Sequence, residues 1–371
     1  MSSSDDNIFG LTKEQYLYVL SAIITLTAIA LLAWFAWGFY SNPEVSFGEK
    51  AEQKNNSETK ECEKRRRLDG YCIKGTEFEQ NPKLAGMMIE NHVESRPASG
   101  LSEARVVYEA PVEGNITRFL ALYTKNQTVE KVGPIRSARP YFIDWVREYG
   151  DMMYAHVGGS PSALDYIKNI DINDLDQFSK GWYFWRSENR DQPHNVYTSS
   201  DLWQKALEEY SGSYEDKDYN SWAFANKEEC RPKNTATSTE VNNCSGSINL
   251  NFSSPHHKVR WQYNSSTDKY ERFQSGKIHR DKSGDAITAD TVVIQHVDTE
   301  VIDQVGRLNM STTGTGKAVF LMKGHKIEGE WKKDSRSSRT KFFNSEGDQI
   351  KLQPGKIWIE VVNQRTSVKL E

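Results

Sequence analysis

VVYEAPVEGNITRFLALYT, Val106 to Thr124, holds two strand-length runs of β-branched and aromatic residues joined through Glu113, Gly114 and Asn115. Such runs, bounded by turn formers, read as neighbouring β-strands. KLAGMMIEN, Lys83 to Asn91, is a further short apolar strand upstream. Downstream, helices are predicted over Tyr141–Tyr149, Ser162–Ile170 and Ser200–Glu209. Strands interleaved with helices make residues 81–225 a mixed α/β domain.

From Ile248 the texture changes. INLNF, KVRWQYN, KYERF, TVVIQHV, GKAVFLM, GHKIEGEWKK and KIWIEVV are short segments separated by Gly, Ser, Asp and Asn. They predict a smaller β-rich domain over 248–371, a sandwich or open barrel. The fold class expected is therefore α+β, with a polar linker at 226–247 between the two domains. At 371 residues the chain has room for both. Its net charge of −4 lacks the basic excess of a nucleic-acid binder, so no nucleic-acid partner is expected.

Before these domains lies YLYVLSAIITLTAIALLAWFAWGFY, Tyr16 to Tyr40, uncharged and aromatic at both ends. As a helix it would extend roughly 37 Å, enough to cross a bilayer. Its rings would sit at the two lipid–water interfaces. A cleaved signal peptide would instead have a shorter apolar core and a small-residue cleavage site. The expectation is one retained transmembrane anchor at 16–40, after a cytoplasmic tail at 1–15 and before a polar tether at 41–80.

Cysteines settle the side of the membrane. Cys62 with Cys72, and Cys230 with Cys244, flank two short loops, and neither spacing is CxxC. Two disulfides are expected rather than a metal site, and disulfides persist outside the cytosol. Three connectivities are open, and proximity favours 62–72 with 230–244. The globular part is accordingly expected to be extracytoplasmic, with the N-terminus inside.

VGPIRSARPYFIDWVREYG, Val132 to Gly150, places Arg136 and Arg139 just before a predicted helix. A planar guanidinium fork suits bidentate binding of carboxylate or phosphate. Gly158, Gly159 and Ser160 open the next helix, with Ser160 as N-cap and Pro161 at its first position. Arg118, Arg186, His194 and Glu113 complete a candidate anion cleft, with Glu90 and Glu109 nearby in the strands. The competing expectation is a set of internal salt bridges, with the two arginines anchoring Glu109 and Glu113.

Several motifs fail their own tests. GTGK, Gly314 to Lys317, has Ser311 and Ala318 where a phosphate loop needs Gly and Ser or Thr, so a glycine-rich turn is expected. GGSPS lacks the final glycine of a nucleophile elbow. The eight histidines form no HExxH or helical ligand pair, so no metal site and no cofactor are expected.

Long segments in fixed order now carry a resemblance. They run from RPASGLSEARVVYEAPVEGNITRFLALY through VGPIRSARPYFIDW, HVGGSPSA, FWR and PHNVYTS. KYERF, GKIHRDKSGDAITADTVVI, TGTGKAVFLMKGHKIEGEW and QPGKIWIEV follow. Over residues 80–371 the chain closely resembles the YerB-like bacterial lipoprotein family, a family of unknown function. The resemblance implies an exported cell-envelope protein with an N-terminal α/β and a C-terminal β-rich domain, and brings no reaction. Members are typically anchored through a lipidated cysteine, whereas no cysteine follows this apolar run before Cys62.

Two functions fit these residues. One is a non-catalytic, membrane-tethered binding module for an anionic wall component or a protein partner. The other is an envelope hydrolase or transferase, with Glu113 and Asp144 or Glu90 as acid and base beside His156 or His194. No carboxylate pair converges in the sequence, which favours binding.

Overall fold

The computed structural model describes residues 12–40, 62, 64–74, 77–210, 218–226 and 246–370. It divides into two units, residues 1–60 and 61–371. The first contains α1 (Lys13–Tyr40), whose stretch Glu14–Trp34 is long and apolar enough to cross a membrane. Within it the Thr25 and Thr27 hydroxyls donate to the carbonyls of Ser21 and Ile23, at 2.8 and 3.0 Å. That satisfies both hydroxyls inside the helix, as an apolar surrounding requires.

The second unit begins with a hairpin, β1 (Lys64–Arg65) and β2 (Cys72–Ile73), closed by the Cys62–Cys72 disulfide. Leu68 and Asp69 at its turn are fully buried, and Arg66 holds both oxygens of Asp69 at 2.8 and 2.7 Å. The tether expected over 41–80 therefore ends earlier, because Leu68 docks this hairpin in the core and Asp69 O accepts from Gly355 N–H at 2.9 Å. The expected Cys230–Cys244 bridge lies outside the described residues.

After a helical turn, α2 (Glu77–Gln80), come β3 (Leu84–Glu90), β4 (Val106–Pro111) and β5 (Thr117–Thr124). Then follow α3 (Pro140–Val146), β6 (Met153–His156), α4 (Pro161–Lys168) and β7 (Asp174–Asp176). A small hairpin, β8 (Trp185–Arg186) and β9 (Val196–Tyr197), precedes α5 (Ser200–Glu209). The C-terminal part supplies β10 (Ser247–Asn251), β11 (Lys258–Asn264), β12 (Lys269–Gln274), β13 (Lys277–Ile278), β14 (Thr288–Ala289) and β15 (Thr291–His296). Its remainder is β16 (Thr299–Val301), β17 (Leu308–Met310), β18 (Gly314–Met322), β19 (His325–Lys333), β20 (Lys341–Asn344), β21 (Ile357–Val362) and β22 (Ser367–Leu370).

The expected boundary between an α/β and a β-rich domain falls inside a shared sheet. Ten strands run in the order β20-β19-β18-β15-β21-β4-β5-β3-β6-β7. β21 lies parallel between β15 and β4, so Glu360 is the register partner of both Ile294 and Glu109. The β-rich part thus splits its strands between this sheet and a second, antiparallel one of order β13-β12-β11-β10-β22, to which β14 is joined. GTGK opens β18 instead of forming a turn, and Gly316 there lies against the Trp331 indole, where a Cβ would collide.

Alternation along the ten-stranded sheet sends side chains to two covered faces. Val107, Phe119, Val292 and Trp358 pack with Leu250, Val259, Trp261 and Tyr270 of the second sheet. Val106, Tyr108, Leu120 and Ile359 pack with Phe142 and Trp145 of α3. Strands β3, β4, β5 and β21 are buried at every position, which explains their nearly unbroken apolar runs.

Candidate functional site

β3, β6 and β7 are parallel neighbours, and the β3–β6 pairing stops at Met87 and Ala155, short of the carboxyl end of β3. The strap around Ile135–Ala138 fills the gap: Arg136 N–H donates to Met88 O at 2.8 Å, and Val157 N–H donates to Arg136 O at 3.1 Å. Ala138 then bridges Gly159. In α/β sheets, this end of parallel strands is where ligands gather. The strap carries Arg136 and Arg139 to the same place as Glu90, the last residue of β3.

The arginines meet carboxylates. Arg136 Nε donates to Glu90 Oε1 at 3.0 Å, while His194 Nδ1 lies 2.8 Å from Glu90 Oε2. Arg139 takes Glu113 in a bidentate fork, with both contacts at 2.7 Å. Burial alone would raise the Glu113 carboxyl, but the Arg139 guanidinium outweighs it and holds it below the usual carboxylate range. Glu109, the other expected anchor, faces away from this site and pairs with Arg272.

Arg118 differs. It stands opposite Glu90 in the β3–β5 register, and only 4% of it is exposed. Its Nη1 donates to Ser137 O at 2.5 Å, its Nε has no partner, and among the described residues no carboxylate lies within ion-pair distance of it. Desolvation, then the neighbouring Arg139, lowers its pKa to about 10 despite the opposing effect of Glu90. Three guanidiniums therefore meet two carboxylates here, buried Glu90 and half-buried Glu113. Removing an uncompensated cation from water costs several kcal/mol, a cost that an anion would offset.

The glycine segment joins the site through its backbone, where both the N–H and the carbonyl of Gly158 are engaged. Gly158 N–H donates to Asp176 Oδ1 at 2.8 Å, and Gly158 adopts φ +55° with Phe178 filling the space of a Cβ. Ser160 caps α4 by accepting from Ala163 N–H at 3.3 Å. His156 is fully buried between Gly158 O at 2.8 Å and Asp174 Oδ1 at 2.6 Å. Arg186 is exposed on the β8–β9 hairpin and donates to Asn195 Oδ1 at 2.9 Å. Asp144 faces the β-rich part: Tyr166 and Thr312 hydroxyls donate to its two oxygens at 2.7 and 2.6 Å.

On the opposite face of the sheet, between its two layers, lies a polar cluster missed in the sequence. Fully buried Arg272 of β12 donates to Glu109 Oε2 at 2.5 Å, and its Nε lies 3.7 Å from Glu360 Oε1. Trp261 Nε1 donates to Glu360 Oε1 at 2.7 Å. Thr117 Oγ1 donates to Glu109 Oε1 at 2.6 Å. Burial, then the adjacent Glu109, pushes the Glu360 carboxyl far above the usual range. The cluster ties the two sheets together. Arg272 is the arginine of KYERF, so the resemblance had marked its segment without revealing its partners.

Residues 71–213 match the N-terminal domain of a family described as "Protein of unknown function (DUF3048)", and residues 248–359 match its C-terminal domain. The chain belongs to the DUF3048 family. A Bacillus subtilis (strain 168) relative, "Putative lipoprotein YerB", is 32% identical over 287 residues, spanning 74% of this chain and 80% of that protein. The crystal structure of YerB protein from Bacillus subtilis superposes with a TM-score of 0.69 at 28% identity, covering 82% of this chain and 99% of that one. A family with a lipoprotein relative, together with an N-terminal apolar helix, is consistent with an extracytoplasmic envelope protein attached to a membrane.

Proposed function

We propose that the chain is a membrane-tethered, extracytoplasmic, non-catalytic module that binds an anionic group of a wall polymer or protein partner at Arg118. Arg118 carries this reading: it is buried, unpaired by any described carboxylate, and flanked by Arg136 and Arg139 at the carboxyl end of β3. Phosphate or carboxylate would supply the missing charge and accept from the guanidinium. A single span with the N-terminus inside would hold the site outside the membrane. The Cys62–Cys72 disulfide supports an oxidising compartment.

The hydrolase reading has less support. A general acid needs a raised pKa, and Glu113 is shifted the other way. Asp144 has both oxygens occupied by hydroxyls. Full-length protein in detergent, mixed with purified peptidoglycan and teichoic-acid fractions, tests the proposal by pull-down. Wild type should retain one fraction and Arg118→Met should lose it. Equal retention by both, or by neither, refutes the assignment.

A further inference from the structure

We propose that His92, Glu94 and His194 form a binding site for a divalent transition-metal ion that prefers imidazole and carboxylate ligands, such as zinc. His194 Nε2 lies 3.0 Å from Glu94 Oε2, and His92 Nδ1 lies 3.5 Å from the same oxygen. The three ligand atoms all lie within 4.8 Å of one another. Metal–ligand bonds of about 2.0–2.2 Å in tetrahedral geometry separate neighbouring ligands by about 3.3 Å, so a small adjustment would seat an ion.

The surroundings orient these atoms as a metal site requires. Glu90, only 3% exposed, lies 2.8 Å from His194 Nδ1 and is itself held by Arg136. With the His194 proton on Nδ1, its Nε2 lone pair faces Glu94. This is the carboxylate–histidine arrangement that orients metal-binding imidazoles. His92 Nδ1 accepts from Glu94 N–H at 3.4 Å, a long bond that an ion on this nitrogen would replace. The two rings stack, with centroids 5.0 Å apart and 10° between their planes. The His194 Nε2 lone pair and the Glu94 carboxylate thus converge beside His92 Nδ1, and a shared cation would draw the three together.

A proton is the competing cation, since an imidazolium at His194 could donate to both Glu90 and Glu94. The metal reading requires the open rim: Glu94 is 68% exposed and His92 34%, so an ion can enter and one coordination position faces solvent. This site rests on residues other than Arg118 and stands whether or not an anion binds there.

The test is calorimetric titration of full-length, chelator-treated protein in detergent with Zn²⁺, followed by Co²⁺ and its visible absorption. Wild type should bind one equivalent and give the bands of a four-coordinate nitrogen–oxygen site. His92→Ala with His194→Ala should lose both signals, as should Glu94→Gln, whose exposed position spares the fold. Glu90→Gln should weaken Zn²⁺ by about 10–100-fold by releasing the His194 ring. His256→Ala, outside the site, should bind as wild type. Absence of stoichiometric Zn²⁺ binding, or binding unchanged in Glu94→Gln, would overturn the assignment in favour of a bound proton.

Discussion

Glu90 and Arg118 stand directly opposite each other on adjacent antiparallel strands, yet they are not the pair that their charges suggest. Glu90 turns its two oxygens to Arg136 and His194, while Arg118 donates to the carbonyl of Ser137. The strap between β3 and β6 causes this exchange by bringing a second guanidinium to the end of β3. Its consequence is a buried cation without a matching carboxylate.

Replacing Arg118 with methionine should therefore leave stability in anion-free buffer unchanged or raise it by about 1–3 kcal/mol. Removing an uncompensated buried charge is favourable when an apolar chain of similar volume fills the space. Denaturant unfolding of the full chain measures it. A loss above about 2 kcal/mol would mean that Arg118 is already compensated.

The Arg139–Glu113 fork should behave in the opposite way. Both side chains are largely buried, with 14% and 17% exposed. Arg139→Ala should cost about 1–3 kcal/mol, because it strands the Glu113 carboxylate. Adding Glu113→Ala should recover part of that loss. A double-mutant cycle with no coupling energy would remove the pair from the account.

Glu360 yields a prediction in pH. Its folded-state pKa is raised, so the native state retains a proton that the unfolded chain releases above the ordinary carboxylate pKa. The group therefore lowers stability progressively as pH rises above about 4. Glu360→Gln retains an acceptor for Trp261 Nε1 and supplies a permanent donor. It should raise the melting temperature at pH 7–8 and lose that advantage near pH 4. A variant destabilised equally at both pH values would show that Glu360 is needed as a carboxylate.

Much of the fold was legible in local pattern. KLAGMMIEN, the two runs of Val106–Thr124 and the helix at Ser200–Glu209 lie on β3, β4, β5 and α5. Apolar continuity and propensity fix such elements within a few neighbouring residues. Pairing across the chain was not legible. That β21 would insert beside β4 depends on strand ends distant in sequence, and no local pattern encodes it.

The candidate site divides along the same line. Residue types marked Arg118, Arg136, Arg139, Glu113 and His194 as chemically able, and the fold gathers these five around Glu90 or its neighbours. Which carboxylate each guanidinium takes depends on the strap, so the sequence left anion clamp and salt bridge open together. His92 and Glu94 escaped notice because their partner, His194, arrives from another loop. Arg186, marked beside His194, instead pairs within its own hairpin.

The central claim is that Arg118 awaits an anion. Calorimetric titration of the full-length protein with inorganic phosphate and with a teichoic-acid fraction tests it most directly, using Arg118→Met alongside. The account predicts saturable binding of at least one of these anions by wild type and none by the variant. Indistinguishable titrations of the two proteins would contradict it.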